Sequence, residues 1–299
     1  MKQVTVYQYN AFSRLPDKGN PAGVVLDADD LTDIQMLEIA RRVGFNETSF
    51  IVKSEVADLR IRYFTPGHEM NLCGHATVAS LYALTTRGLL SLEDLKLETK
   101  AGLLPMQIRL SESGFPIITM QQSPAQFVVF DGKLDELAAS IGLTLEDLDL
   151  QKPTVYGSTG IWTLLVPIKE LGAFQRMVPN NIQFPEVLRG MPRASIHPFC
   201  METYDPAADM HARHFSSPYS GTIEDPVTGT ASGVMGAYYA TYIRNGIDEP
   251  IQLVVEQGHE MEREGQVEVT VTPADNNYEV TISGSGVYVK EFQIEITSV

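Results

Sequence analysis

Three short stretches place reactive side chains at bends. GFNETSF at 44–50 holds Glu47, NLCGHATVAS at 71–80 holds Cys73, Gly74 and His75, and IEDPVTGTASG at 223–233 holds Glu224, Asp225, Thr228, Gly229 and Thr230. Glu47 is flanked by Phe45 and Phe50. Apolar neighbours raise a carboxyl pKa toward the range that a general acid or base needs near neutral pH. A loop carboxylate that caps a helix is the plainer reading of the same residue. Asp225 precedes Pro226 and a glycine turn, so it can cap the following helix and also stand beside that turn. Thr228 and Thr230 supply hydroxyls that either cap the helix or hold a carboxylate. On local grounds Cys73 is a catalytic thiol, a metal ligand or a small packed residue.

Metal and nucleotide chemistry fit poorly. HEMNLCGH at 68–75 gathers His68, Glu69, Cys73 and His75, but Leu72 stands four residues after His68 and no C-x-x-C pair occurs. No metal is expected, and His68 and Glu69 read as surface or capping residues. Gly157 to Gly160 leads into an apolar strand instead of Lys-Ser or Lys-Thr, so it reads as a turn and not a phosphate loop. No G-x-G-x-x-G follows a strand, so no nicotinamide or flavin cofactor is expected.

The pattern of apolar residues predicts the elements that must hold these groups. Strands are expected at 3–9, 22–26, 48–53 and 60–64, with a helix from the Thr32–Asp33 cap region to about Val43. HATVASLYALTTRG reads as a helix ended by Gly88, and LKLETK, LPMQIRL and PIITMQQ as strands. Residues 133–147 read as a helical connection, after which a second set of strands begins near Thr154. The halves echo one another. Arg62-Tyr63-Phe64-Thr65 leads to CGHATVAS as Arg213-His214-Phe215-Ser216 leads to TGTASGVM, and LETKAG at 97–102 is matched by VVEQGH at 254–259. A duplicated α+β unit follows. Each glycine turn opens a helix, whose unpaired N–H groups and dipole make an anion site, so a small carboxylate is the expected ligand.

The chain has 299 residues and a mass of 33.0 kDa, enough for two core-bearing domains. A net charge of −16 opposes nucleic-acid binding, which needs clustered Lys and Arg. No stretch approaches the roughly 20 apolar residues of a membrane span. The first strand lacks a signal-peptide core, and two cysteines are too few for a disulfide framework. A cytoplasmic location is expected.

Together the stretches at 18–41, 46–51, 62–80, 158–167, 224–233 and 255–263 resemble the PhzF-like phenazine-biosynthesis family within the diaminopimelate epimerase-like superfamily. The resemblance implies two pseudo-symmetric α+β domains, each a β-barrel-like sheet around a central helix, with the active site in the cleft between them. The domains would be 1–118 and 119–286, with the C-terminal strand 287–299 as a candidate completion of the first. It implies homodimers. It gives Glu47 the acid/base role, and gives substrate contacts to His75, Asp225 and Thr230, the last a position where the family usually has Ser. Superfamily racemases use two cysteines, one before each glycine turn. Cys73 holds the first position but Thr228 holds the second, Cys200 falls in an expected strand, and a hydroxyl is far too weak an acid to replace a thiol.

The expected function is a cofactor-independent isomerase that shifts a proton on a small cyclic or amino-acid-like carboxylate. Glu47, Asp225 and His75 would be catalytic, with Gly74, Gly229, Thr230, Thr228 and Cys73 at the substrate. The alternatives are a racemase or epimerase that uses Cys73, and a non-catalytic binding or interaction module.

Overall fold

A computed structural model describes residues 2–91, 94–275 and 277–296. The elements up to residue 121 are β1 (Lys2–Ala11), β2 (Asn20–Val25), α1 (Asp33–Val43), β3 (Thr48–Val52), β4 (Leu59–Phe64), β5 (Glu69–Met70), α2 (Gly74–Thr86), β6 (Asp94–Thr99), β7 (Gly102–Leu110) and β8 (Pro116–Gln121). There follow β9 (Gln126–Val129), α3 (Leu134–Ser140), β10 (Val155–Ser158), β11 (Trp162–Pro167), α4 (Phe184–Val187), β12 (Ser195–Cys200), β13 (Met210–Ala212), α5 (Gly229–Tyr238), β14 (Ile251–Gln257), β15 (Gly265–Ala274) and β16 (Asn277–Gly284), and last β17 (Gly286–Ile296). The chain divides into two compact units, Met1–Gln121 with Ser283–Val299, and Gln122–Ile282.

In the first unit β17 runs antiparallel along the whole of β1, and β1 pairs with β2. β2 and β3 are parallel, joined through α1, and β4 and β6 are parallel, joined through α2. Parallel neighbours require such crossovers. α1 starts at a capping box, with Thr32 Oγ1 accepting from Gln35 N and Gln35 Oε1 accepting from Thr32 N, and it stops at Gly44, whose φ is 73°. α2 is buried from His75 to Leu84 with no polar face. A helix apolar all round belongs inside a core, and α2 accordingly packs on β1, β2, β3, β8 and β17.

The second unit repeats this order. β11 and β12 are parallel across a long connection, and β13 and β14 are parallel across α5. α5 is likewise buried, and its glycines let strands approach: a Cβ on Gly236 would lie 2.5 Å from Val269 Cγ1. Each unit has its own apolar core, one around Met36, Ile39, Phe50 and Phe64, the other around Phe174, Phe184, Leu164 and Ile196.

Two expectations need correction. The helix expected over 133–147 breaks after Ser140 because Gly142 takes φ 78°, and its Cα faces the Val178 backbone where a Cβ would come within 2.7 Å. The chain resumes in a 3-10 turn, Leu145–Asp147, capped by Thr144. The second copy of the Arg-x-Phe strand is also shorter than its echo: β13 stops at Ala212, and Phe215 makes only single bridges to Ile196 and Glu224. Among the described residues no helix is long and apolar enough to cross a membrane.

Candidate active site

Glu47 sits where the chain leaves α1 and enters β3. Its carbonyl accepts from Gly23 N at 3.2 Å, and Ser49, two residues on, is 2.6 Å from Ser80 on α2. The bond from β3 to α2 holds Glu47 over the start of that helix. There Cys73 stands as N-cap without making a side-chain cap hydrogen bond, and its carbonyl accepts from the hydroxyl of Thr77.

The side chains of Glu47, Cys73 and His75 meet at this point. His75 Nε2 lies 3.2 Å from Glu47 Oε2, and His75 Nδ1 lies 3.4 Å from Cys73 Sγ. The distance to Oε2 is that of an ion pair, and among the described residues this buried oxygen has no well-formed hydrogen bond. An unspent buried acceptor is costly and marks a place where a proton can be received. Burial opposes charge on the His75 ring, yet the acidic groups of Cys73 and Glu47 outweigh it and hold its pKa well above the ordinary value. Burial, and then the Glu47 charge, push the Cys73 thiol up against the smaller pull of His75. A raised thiol pKa favours the protonated form of Cys73 near neutral pH.

The second unit builds a different group on the same plan. Thr228 is the N-cap of α5 and again makes no side-chain cap hydrogen bond. Its hydroxyl instead donates to Asp225 Oδ2 at 2.5 Å. Asp225 N donates to the His214 carbonyl at 3.0 Å, and the adjoining Glu224 takes a two-pronged bond from Arg213 at 2.8 and 2.7 Å. Gly229 is buried at the turn, and the Thr230 carbonyl accepts from Thr159 Oγ1 at 3.2 Å.

A model of the family described as Phenazine biosynthesis-like protein, PhzC-PhzF, matches residues 9–292. The chain belongs to the PhzC-PhzF family. It is 55% identical over 289 residues to the uncharacterized isomerase YfhB of Bacillus subtilis, covering 96% of this chain and 97% of that one. The crystal structure of the Bacillus anthracis phenazine biosynthesis protein of the PhzF family has a TM-score of 0.97 at 57% identity, covering 99% of this chain and 100% of that one. The trans-2,3-dihydro-3-hydroxyanthranilate isomerase of Pseudomonas fluorescens is 26% identical over 93% of this chain and 94% of its own. Solved epimerases and racemases of lower identity share the fold. This PhzF-family chain thus has the diaminopimelate epimerase-like α+β fold and is an isomerase of the PhzF type.

Within the PhzF-family chain, the structure brings Glu47, Cys73, Gly74 and His75 together in one unit, and Asp225, Thr228, Gly229 and Thr230 in the other. Sequence reasoning missed the arginine clamps that frame them. Arg62 bonds Glu69 and Asp33 at 2.8 and 2.7 Å and lies over Phe64, as Arg213 bonds Glu224 and lies over Phe215. The signal was present in the Arg-x-Phe echo, with a Glu seven residues on in one copy and eleven in the other. Glu69 is therefore part of a clamp and no free surface acid.

Among the described residues two clusters bring donor atoms within 4.8 Å of one another, Glu47–Cys73–His75 and His211–Glu256–His259. The first contains the Cys73 thiol, whose pKa burial raises. In the second, both ring nitrogens of His211 face carboxylates, Glu256 at 2.9 Å and Glu260 at 3.2 Å. Burial opposes charge on this ring too, but the two carboxylates overcome it and raise its pKa.

Proposed function

We propose that this isomerase moves a proton on a small cyclic or amino-acid-like carboxylate by general acid/base catalysis, without a cofactor, with Glu47 as the base. The observation that carries the reading is Glu47 Oε2, buried, 3.2 Å from an imidazole of raised pKa and without a well-formed hydrogen bond of its own. Glu47 would take a proton from a substrate carbon, becoming a carboxylic acid, and return it to another atom of the same molecule. The His75 imidazolium and the first-turn amides at Gly74 would stabilise the negative charge that develops. Asp225, held by Thr228, would accept from a substrate amine or hydroxyl, and the helix start at Gly229 and Thr230 would hold a carboxylate oxygen. The family resemblance further supports a homodimer.

One distance favours a second reading. Cys73 Sγ at 3.4 Å from His75 Nδ1 is the spacing of a thiol and its base, as a racemase or epimerase would use. Proton NMR in D₂O decides between them, with a panel of amino and hydroxy carboxylates that includes trans-2,3-dihydro-3-hydroxyanthranilate. Glu47→Gln should lower deuterium uptake by roughly 100-fold or more, the scale of a lost general base, while Cys73→Ala retains it. The opposite pattern would establish the thiol reading. Absence of exchange with a ligand that binds would make the protein a binding module.

A further inference from the structure

β14 ends at Gln257, whose side chain is buried at 1% exposure and uses both ends of its amide. Oε1 accepts from Thr228 N at 3.1 Å, and Nε2 donates to the Asp225 carbonyl at 2.6 Å, with a longer contact of 3.4 Å to Thr228 Oγ1. An acceptor faces an N–H and a donor faces a carbonyl, so the amide has one orientation. The next residue brings the backbones close as well. Gly258 has φ 92°, and a Cβ there would lie 2.8 Å from the Pro226 carbonyl oxygen.

We infer that Gln257 is the positioning residue of the second unit's half-site. It splints the turn from Asp225 to Thr228, and through the bond from the Thr228 hydroxyl to Oδ2 it fixes where the Asp225 carboxylate points. The inference rests on the proposed function, in which that carboxylate and the start of α5 contact substrate. The first unit shows what the splint replaces. There the matching strand, β6, ends at Thr99, whose hydroxyl bonds within its own hairpin, donating to Gly102 O and accepting from Ala101 N. The loop before α2 is tied instead by a backbone bond, Ala101 N to Asn71 O at 3.2 Å.

Gln257→Glu tests this through its protonation. Ionised, the new side chain puts an acceptor against the Asp225 carbonyl; protonated, it presents the same donor and acceptor as the amide. The measurements are kcat/KM for deuterium uptake and amide hydrogen exchange of residues 224–233 and 71–80, from pH 5 to pH 8, each relative to wild type at the same pH. At pH 8 the variant should lose roughly 10- to 100-fold in kcat/KM, the scale of a hydrogen bond to a charged or buried group, and exchange faster at 224–233 but not at 71–80. Both differences should shrink as the pH falls. Gln257→Met, similar in length but apolar, should show the same loss without recovery. Wild-type exchange at 224–233 in Gln257→Met would overturn the inference, as would a loss in Gln257→Glu that acid does not relieve. Should Glu47→Gln keep full activity, the proposed function fails, while the amide-exchange arm still judges Gln257 on its own.

Discussion

Cys73 and Thr228 precede the two buried helices with similar extended backbones, φ −141°, ψ 115° and φ −120°, ψ 97°, and neither side chain caps its helix. Each leaves the N-terminal amides of its first turn to other partners, which is the shared property of the duplicated frame. The side chains then diverge. At the first start a thiol, an imidazole and a carboxylate lie in contact, with raised pKa values at Cys73 and His75. At the second a hydroxyl is spent on orienting a carboxylate. In the proposed function, proton transfer falls to the first helix start and substrate orientation to the second, because a threonine hydroxyl does not ionise in the working range.

The largest expected break in this comparison comes from Asp225→Asn. Removing the charge that Thr228 orients should cost about 100-fold in kcat/KM, and Thr228→Val about tenfold, with Thr228→Ser near wild type because the hydroxyl remains. A Thr228→Ser defect as large as that of Thr228→Val would show that the methyl matters there as well as the hydroxyl. Steady-state kinetics on any substrate found by exchange provide the check.

Stability against pH sharpens the contrast. The folded pKa of His75 lies above its ordinary 6.5, so its contribution is complete below that value and is lost as the pH rises through the folded pKa. His75→Gln should therefore flatten the alkaline fall in melting temperature. In the second unit burial pushes His214 down to about 4, so the neutral ring, 3.1 Å from His197, contributes stability that is lost as the pH falls from 6.5 towards 4. That swing is roughly 2–3 kcal/mol, trimmed by the part-exposure of the ring. Melting curves of His214→Gln should lose this acid limb, and equal acid limbs in variant and wild type would remove His214 from the account.

The smallest effect should come from making the two starts alike. Cys73→Thr copies the second N-cap into the first unit, and deuterium uptake should stay within about tenfold of wild type if, as proposed, Glu47 and not the thiol is the base. A larger loss would return proton transfer to Cys73.

Much of this was legible in the chain itself. The Thr32 capping box, the alternation at RIRYF and the two x-Gly-x turns announced α1, β4 and the helix starts before any coordinates, because caps, strand periodicity and glycine turns are local properties. The family stretches identified Glu47, His75 and Asp225 as the residues to watch. The break after Ser140 was not legible, since Gly142 turns there against the Val178 backbone, a neighbour 36 residues away in the chain.

The sequence by itself determined the duplicated α+β plan, the acidic surface, the helix starts and the residue types that can transfer a proton. Only the tertiary structure decided that Glu47 Oε2 lies 3.2 Å from His75 Nε2, that burial raises the Cys73 thiol pKa, and that the Gln257 side chain bonds both Thr228 N and the Asp225 carbonyl. Ionisation depends on burial and on charges brought in from distant segments, and hydrogen-bond partners depend on which strands lie side by side. Neither quantity is written in the local order of residues.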